Sequence, residues 1–200
     1  DEVEGKALVG YTPPTIPVLD LCKGANLLDR VGESLDLERT LSGRIVLFYF
    51  GAKRVENCVR LTPLLKHFYT QVRGLPNGGS EFEVVFMSND EKFTDLVEWH
   101  RSDHGTWPAM DYGDPTSAKL YKHFNVKTLP SMHIVSPQGG VIITHHRALE
   151  DIARAVQNKA FAEVWREWRL KAGWQLPPEP LPVKGAGIPQ FAFPRDATKE

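Results

Sequence analysis

A chain of 200 residues and 22.5 kDa has room for one ordinary domain with appendages, not for two full-sized domains. Hydrophobic residues at 42% and charged residues at 24% give the balance of a soluble globular chain that buries a sizeable core. Lys+Arg 24 against Asp+Glu 25 leaves a net charge of -1, which removes the bulk electrostatic case for nucleic acid or an anionic membrane and restricts any RNA contact to a local patch. Two cysteines, Cys22 and Cys58, are too few for a disulfide-built secreted scaffold, so a reducing compartment is expected, mitochondrial matrix or cytoplasm. No window approaches the run of about 18 apolar residues that a membrane span needs, and the opening residues lack the order of a signal peptide.

Proline and glycine divide the chain into three. Residues 1–24 read as an extended arm, because Thr12-Pro13-Pro14-Thr15-Ile16-Pro17 interrupts any regular pattern. Residues 25–172 hold nearly all the periodic hydrophobic signal. Residues 173–200 form a second arm, Pro-rich from Pro177 to Pro194 and without helical or strand period.

Within the middle region, Ile45-Val46-Leu47-Phe48-Tyr49-Phe50 is a continuous apolar, β-rich run, the pattern of a strand buried on both faces and central in its sheet. Leu61, Leu64, Leu65, Phe68, Tyr69 and Val72 recur at three- and four-residue spacing and predict a helix running up to Gly74. Glu83 to Met87 reads as a second buried strand, so the three elements are expected to form a right-handed parallel crossover. Helices are predicted over about 91–102 and from Ser117 to Phe124. Met132 to Val135 and Val141 to Thr144 flank Pro137-Gln138-Gly139-Gly140 and predict an antiparallel hairpin, and a last helix is predicted from about Leu149 to Arg169. The expected class is α/β, a mixed sheet with helices on both faces.

Four strings in this order carry a resemblance: Ser42 to Ala52 around the first strand, Leu61-Thr62-Pro63-Leu64-Leu65 with Phe68-Tyr69, Phe82-Glu83-Val84-Val85-Phe86, and Lys122-His123-Phe124-Asn125-Val126-Lys127-Thr128-Leu129-Pro130. Over roughly residues 25–150 they resemble the tryparedoxin and nucleoredoxin branch of the thioredoxin superfamily. The resemblance implies a thioredoxin-like fold with two appended arms, and a cis proline at Pro130 beside the redox site. The branch's redox loop reads Trp-Cys-Pro-Pro-Cys, and the stretch that resembles it is Arg54-Val55-Glu56-Asn57-Cys58. The first cysteine is then replaced by Val55, and only the second survives, as Cys58. In a Cys-x-x-Cys oxidoreductase the first cysteine sits at a helix N-terminus and supplies the attacking thiolate, and the second resolves the mixed disulfide. Valine supplies no thiolate, so Arg54, Val55, Glu56, Asn57 and Cys58, with Pro130, read as a vestigial site without a catalytic residue.

The expected function is therefore a redox-inactive thioredoxin-like protein acting as a structural or protein-interaction subunit of a larger assembly, such as the mitochondrial ribosome or its assembly intermediate. The alternative is a residual thiol-disulfide oxidoreductase or thiol sensor using Cys58 alone. A third reading is a peptide binder whose groove lies beside Trp107 and Pro130, and pairing of Cys22 with Cys58 stays open. Trp174, Phe191 and Phe193 join Trp107 and Pro130 as binding candidates, the last two because a Pro-rich tail builds no core of its own. His100 and His104 stand four apart, and His145-His146 are read at a strand end. With no thiolate or carboxylate placed to complete a tetrahedron they are expected to be surface residues, with no metal and no cofactor. Trp165 and Trp168 are read as core, with an Arg/Trp interface as the competing reading. Nucleotide-binding and serine-hydrolase motifs are absent.

Overall fold

The computed structural model describes residues 12–176. Phe191 and Phe193, with residues 1–11 of the first expected arm and 177–200 of the second, lie outside the described residues. Proline keeps residues 12–17 out of regular structure, and the single turn α1 (Val18–Leu21) starts directly after Pro17. The expected arm is corrected here: Val18 and Cys22 are buried in a hydrophobic core. Val18 donates its N–H to the Pro137 carbonyl at 3.4 Å. Gly139, at φ +95°, lies so close to residues 12–17, a strap laid along the hairpin, that a Cβ there would sit 2.3 Å from the Ile16 carbonyl oxygen.

The strands β1 (Leu27–Leu28) and β2 (Ser34–Leu35) are two residues each, and α2 (Leu37–Leu41) is capped by the Asp36 carboxylate, which accepts from the Arg39 N–H at 2.6 Å. The apolar run forms β3 (Ile45–Gly51), buried along its whole length, and the periodic segment forms α3 (Glu56–Arg73). After α4 (Gly78–Glu81) comes β4 (Phe82–Ser88), parallel to β3 from Ile45 opposite Phe82 to Gly51 opposite Ser88. Then follow α5 (Phe93–Ser102), β5 (Ala109–Met110), α6 (Pro115–His123), β6 (Ser131–Val135) and β7 (Val141–Ile143). The strands form one mixed sheet in the order β2-β1-β5-β4-β3-β6-β7, with β3, β4 and β5 mutually parallel and the outer pairings antiparallel.

The expected final helix is two: α7 (His145–Asn158) and α8 (Phe161–Lys171), broken at Lys159, which adopts a left-handed φ of 55°. His145-His146 open α7 instead of ending a strand. Asp151 on α7 ties the pair together: nearly fully buried, it accepts from Trp168 Nε1 at 2.9 Å and from Arg147 at 3.0 Å. Alternation along β3 divides the interior in two. Ile45, Leu47 and Tyr49 face a core built with α3, α5, α7 and α8. Val46, Phe48 and Phe50 face a second core built with α1, α2 and α6. Helices thus cover both faces, as a central strand of continuous apolar residues requires. No helix among the described residues is long and apolar enough to cross a membrane.

Candidate functional site

The C-terminal end of β3 turns into α3 through Ala52-Lys53-Arg54-Val55. Hydrogen bonds from β4's end hold this turn: Asn89 N–H donates to Gly51 O at 2.8 Å, and the Asp90 carboxylate accepts from Lys53 N–H at 2.8 Å and from the Ser88 hydroxyl at 2.8 Å. Arg54 folds over the same loop, donating to Asn89 O and, at 2.9 Å, to Asn89 Oδ1. Val55 occupies the N-cap position of α3, half-buried, with no side chain to accept from the first free N–H groups.

Cys58, one turn further on, is fully buried. Its carbonyl accepts from the hydroxyls of Tyr49 at 3.2 Å and Thr62 at 2.9 Å. Burial pushes the Cys58 thiol up; the Ala52 N–H and the Tyr49 hydroxyl pull the other way without overcoming it. Cys22 is equally enclosed, and burial pushes its thiol up to about 12. The two are free thiols on opposite faces of the sheet, one in each core, so they are not paired. Pro130 follows a cis Leu129-Pro130 bond and leads into β6, where Ser131 lies opposite Phe50; this register sets Pro130 at the same sheet end as Val55 and Cys58.

The remaining candidates are elsewhere. Trp107 lines no groove: it is fully buried, edge-on to Tyr69 at 5.1 Å, with its Nε1 donating to His104 Nδ1 at 3.2 Å. Trp174 packs on the domain, 6.4 Å from Trp165 and beneath the Arg169 guanidinium at 5.6 Å. His100 and His104 are core residues, not surface ones, and burial lowers both pKa values. No three His, Cys, Asp or Glu side chains among the described residues are grouped to hold a metal ion.

Sequence reasoning missed a cleft of about 560 Å³ beside Arg54, where β4 and β5 end and α6 begins, with Asp90, Asp111, Tyr112, Asp114 and Tyr121 in its wall. Its one sequence signal is Asp114-Pro115, an N-cap before a proline at the first helical position. The aspartates are held by neutral donors: Asp111 takes Asn26 Nδ2 at 3.0 Å, and Asp114 takes Asn26 N–H at 2.8 Å and Thr116 N–H at 2.7 Å.

A family model described as thioredoxin-like matches residues 43–141. The chain is 32% identical over 119 residues to a probable nucleoredoxin 2 of Oryza sativa subsp. japonica, covering 59% of this chain and 29% of that protein. It is 28% identical over 128 residues to the mouse nucleoredoxin-like protein 1, covering 63% of this chain and 58% of that protein. Among solved structures, native tryparedoxin I from Crithidia fasciculata superposes with a TM-score of 0.58 at 28% identity, over 71% of this chain and 92% of that one. The chain spans less than a third of the length of the plant nucleoredoxins it matches.

Proposed function

Because the chain belongs to the tryparedoxin and nucleoredoxin branch of the thioredoxin superfamily, we propose that it keeps that branch's fold without its thiol–disulfide exchange and works through protein contacts, as a subunit of a larger assembly. This reading sets Val55 where the branch's loop carries its attacking cysteine. One observation carries it: behind an aliphatic N-cap, the only sulfur of the loop is fully buried with its thiol pKa raised. Exchange requires a thiolate that a substrate sulfur can reach. Lys53, Arg54, Glu56 and Asn57 present an exposed polar lip there instead. The Pro-rich stretch 177–194, with Ile188, Phe191 and Phe193 between its prolines, has the composition of a segment read by a partner.

The second reading, residual thiol chemistry at Cys58, draws on the two hydrogen bonds that favour the thiolate, from Ala52 and Tyr49. Insulin reduction driven by a small dithiol separates the two. Turnover at the uncatalysed rate is expected; turnover above it that disappears in Cys58→Ala overturns the inactive reading. Val55→Cys tests the geometry, since a dithiol that then cycles means that the loop and Pro130 are still arranged for exchange. For the subunit role, native complexes are compared with and without residues 177–200. Loss of co-purifying partners on deletion is expected, and their retention argues against the tail as the docking element.

A further inference from the structure

At the other end of the parallel strands from Val55, a cleft of about 440 Å³ opens where β3 and β4 begin, and three arginines from separate elements line it. Arg39 comes from α2, Arg44 from the residue before β3, and Arg73 from the last position of α3. Arg44 and Arg73 share one buried carboxylate oxygen, Glu83 Oε2, at 3.4 and 3.3 Å. The other oxygen, Oε1, is already taken by the Tyr69 hydroxyl at 2.9 Å and the Val84 N–H at 3.1 Å. Every hydrogen bond that these two guanidinium groups make with the described chain uses Nη1, to Glu83 and to the carbonyls of Gly79 and Phe82. Their Nε and Nη2 donors have no acceptor among the described residues, and both side chains are partly exposed.

Arg39 is exposed, and its guanidinium has no hydrogen-bond or ion-pair partner among the described residues. Asp36, at the rim, spends its carboxylate on the Arg39 backbone N–H as the cap of α2. Three cations thus meet two carboxylates that are already occupied, in a chain whose overall charge is -1. Guanidinium groups with unspent planar forks match tetrahedral oxyanions, and a cleft of this volume is of small-ligand size. We propose that this cleft binds a phosphate dianion, free or as the phosphate of a small phosphomonoester, with Arg39 closing over an anion seated on Arg44 and Arg73. The site is independent of the redox reading, because it shares no residue with the Val55 loop.

The test titrates the full chain with inorganic phosphate at constant ionic strength, following binding by calorimetry, in wild type, Arg39→Ala and the control Arg60→Ala, whose arginine pairs with Glu56 on the outer face of α3. Saturable binding is expected, weakened about tenfold or more by Arg39→Ala, the loss typical of one charge-assisted hydrogen-bonding side chain, and unchanged by Arg60→Ala. Glycerol 2-phosphate separates the sources: equal affinity means that recognition ends at the phosphate, and tighter binding means that the ester's remainder also occupies the cleft. Absence of saturable binding, or equal affinity in wild type and Arg39→Ala, overturns the proposal.

Discussion

His133 gives the protein a defined sensitivity to acid. It lies on β6 opposite Phe48, stacked on Phe124 at 4.8 Å and edge-on to Phe50 at 6.0 Å, with Nε2 3.1 Å from the Ser131 hydroxyl. Burial, with His145 and His123 adding like charge, lowers its pKa from 6.5 to about 4. Between those two values the unfolded chain binds a proton that the folded chain refuses. This contribution to stability is therefore complete above pH 6.5 and drains away as the pH falls toward 4. By pH 5 the loss from this one ring is at most roughly 2 kcal/mol. His133→Phe keeps an aromatic ring in the stack and removes the titration. Urea denaturation followed by tryptophan fluorescence at pH 7.5 and 5.0 should show the variant losing less stability between the two, by about 1–2 kcal/mol. The comparison is of slopes, since the lost Ser131 hydrogen bond lowers the variant by about 1 kcal/mol at both pH values. An identical pH dependence in the two proteins would refute the argument. His100, His104 and His145, also lowered by burial, steepen the fall in both.

Three further perturbations test the packing. Asp151→Ala leaves Trp168 Nε1 buried without an acceptor and should cost about 2–4 kcal/mol in urea denaturation, less in a Trp168→Phe background; a loss under about 1 kcal/mol speaks against Asp151 as the tie between α7 and α8. Gly139→Ala combines a left-handed φ with a Cβ driven into the Ile16 backbone, and a thermal melt should reveal about 1–3 kcal/mol of destabilisation; an unchanged melting temperature means that the 12–17 strap does not hold the hairpin. Val55→Ser supplies the missing acceptor at the start of α3 and should stabilise the fold by about 1 kcal/mol, so a neutral or destabilising result contradicts an uncapped helix start.

The elements most legible in the sequence are those whose pattern is imposed by burial on both sides. β3 is an unbroken apolar run and β4 is apolar but for Glu83 and the terminal Ser88, because cores press on both of their faces, and α3 keeps a single apolar stripe because it has one core to face. β1, β2 and β5 are invisible because two residues carry no period; pairing defines them, β1 and β5 with segments distant in sequence and β2 with the neighbouring β1. The break between α7 and α8 is hidden for a different reason. Both helices turn apolar residues to the same core, so the periodicity runs on, and the residue that breaks it is Lys159 in a conformation usually signalled by glycine. The start of α3 behind Val55 is legible from the local string alone. The burial of Trp107 is not legible, because nothing local foretells that Tyr69 and His104 enclose it. The arginine cleft could not be read, since its members come from four segments that only the sheet brings together.

The opposite placement of the two cysteines gives each layer of the domain its own reporter. Cys58 becomes reachable only when the layer of α3, α7 and α8 lifts from the sheet, and Cys22 only when the α1, α2 and α6 side opens. Pulsed alkylation in rising urea, with the two sites resolved by peptide mass, therefore reads the opening of each layer separately in the unmodified protein. Equal protection of both thiols means that the domain opens as one cooperative unit, and unequal protection identifies the layer that lets go first.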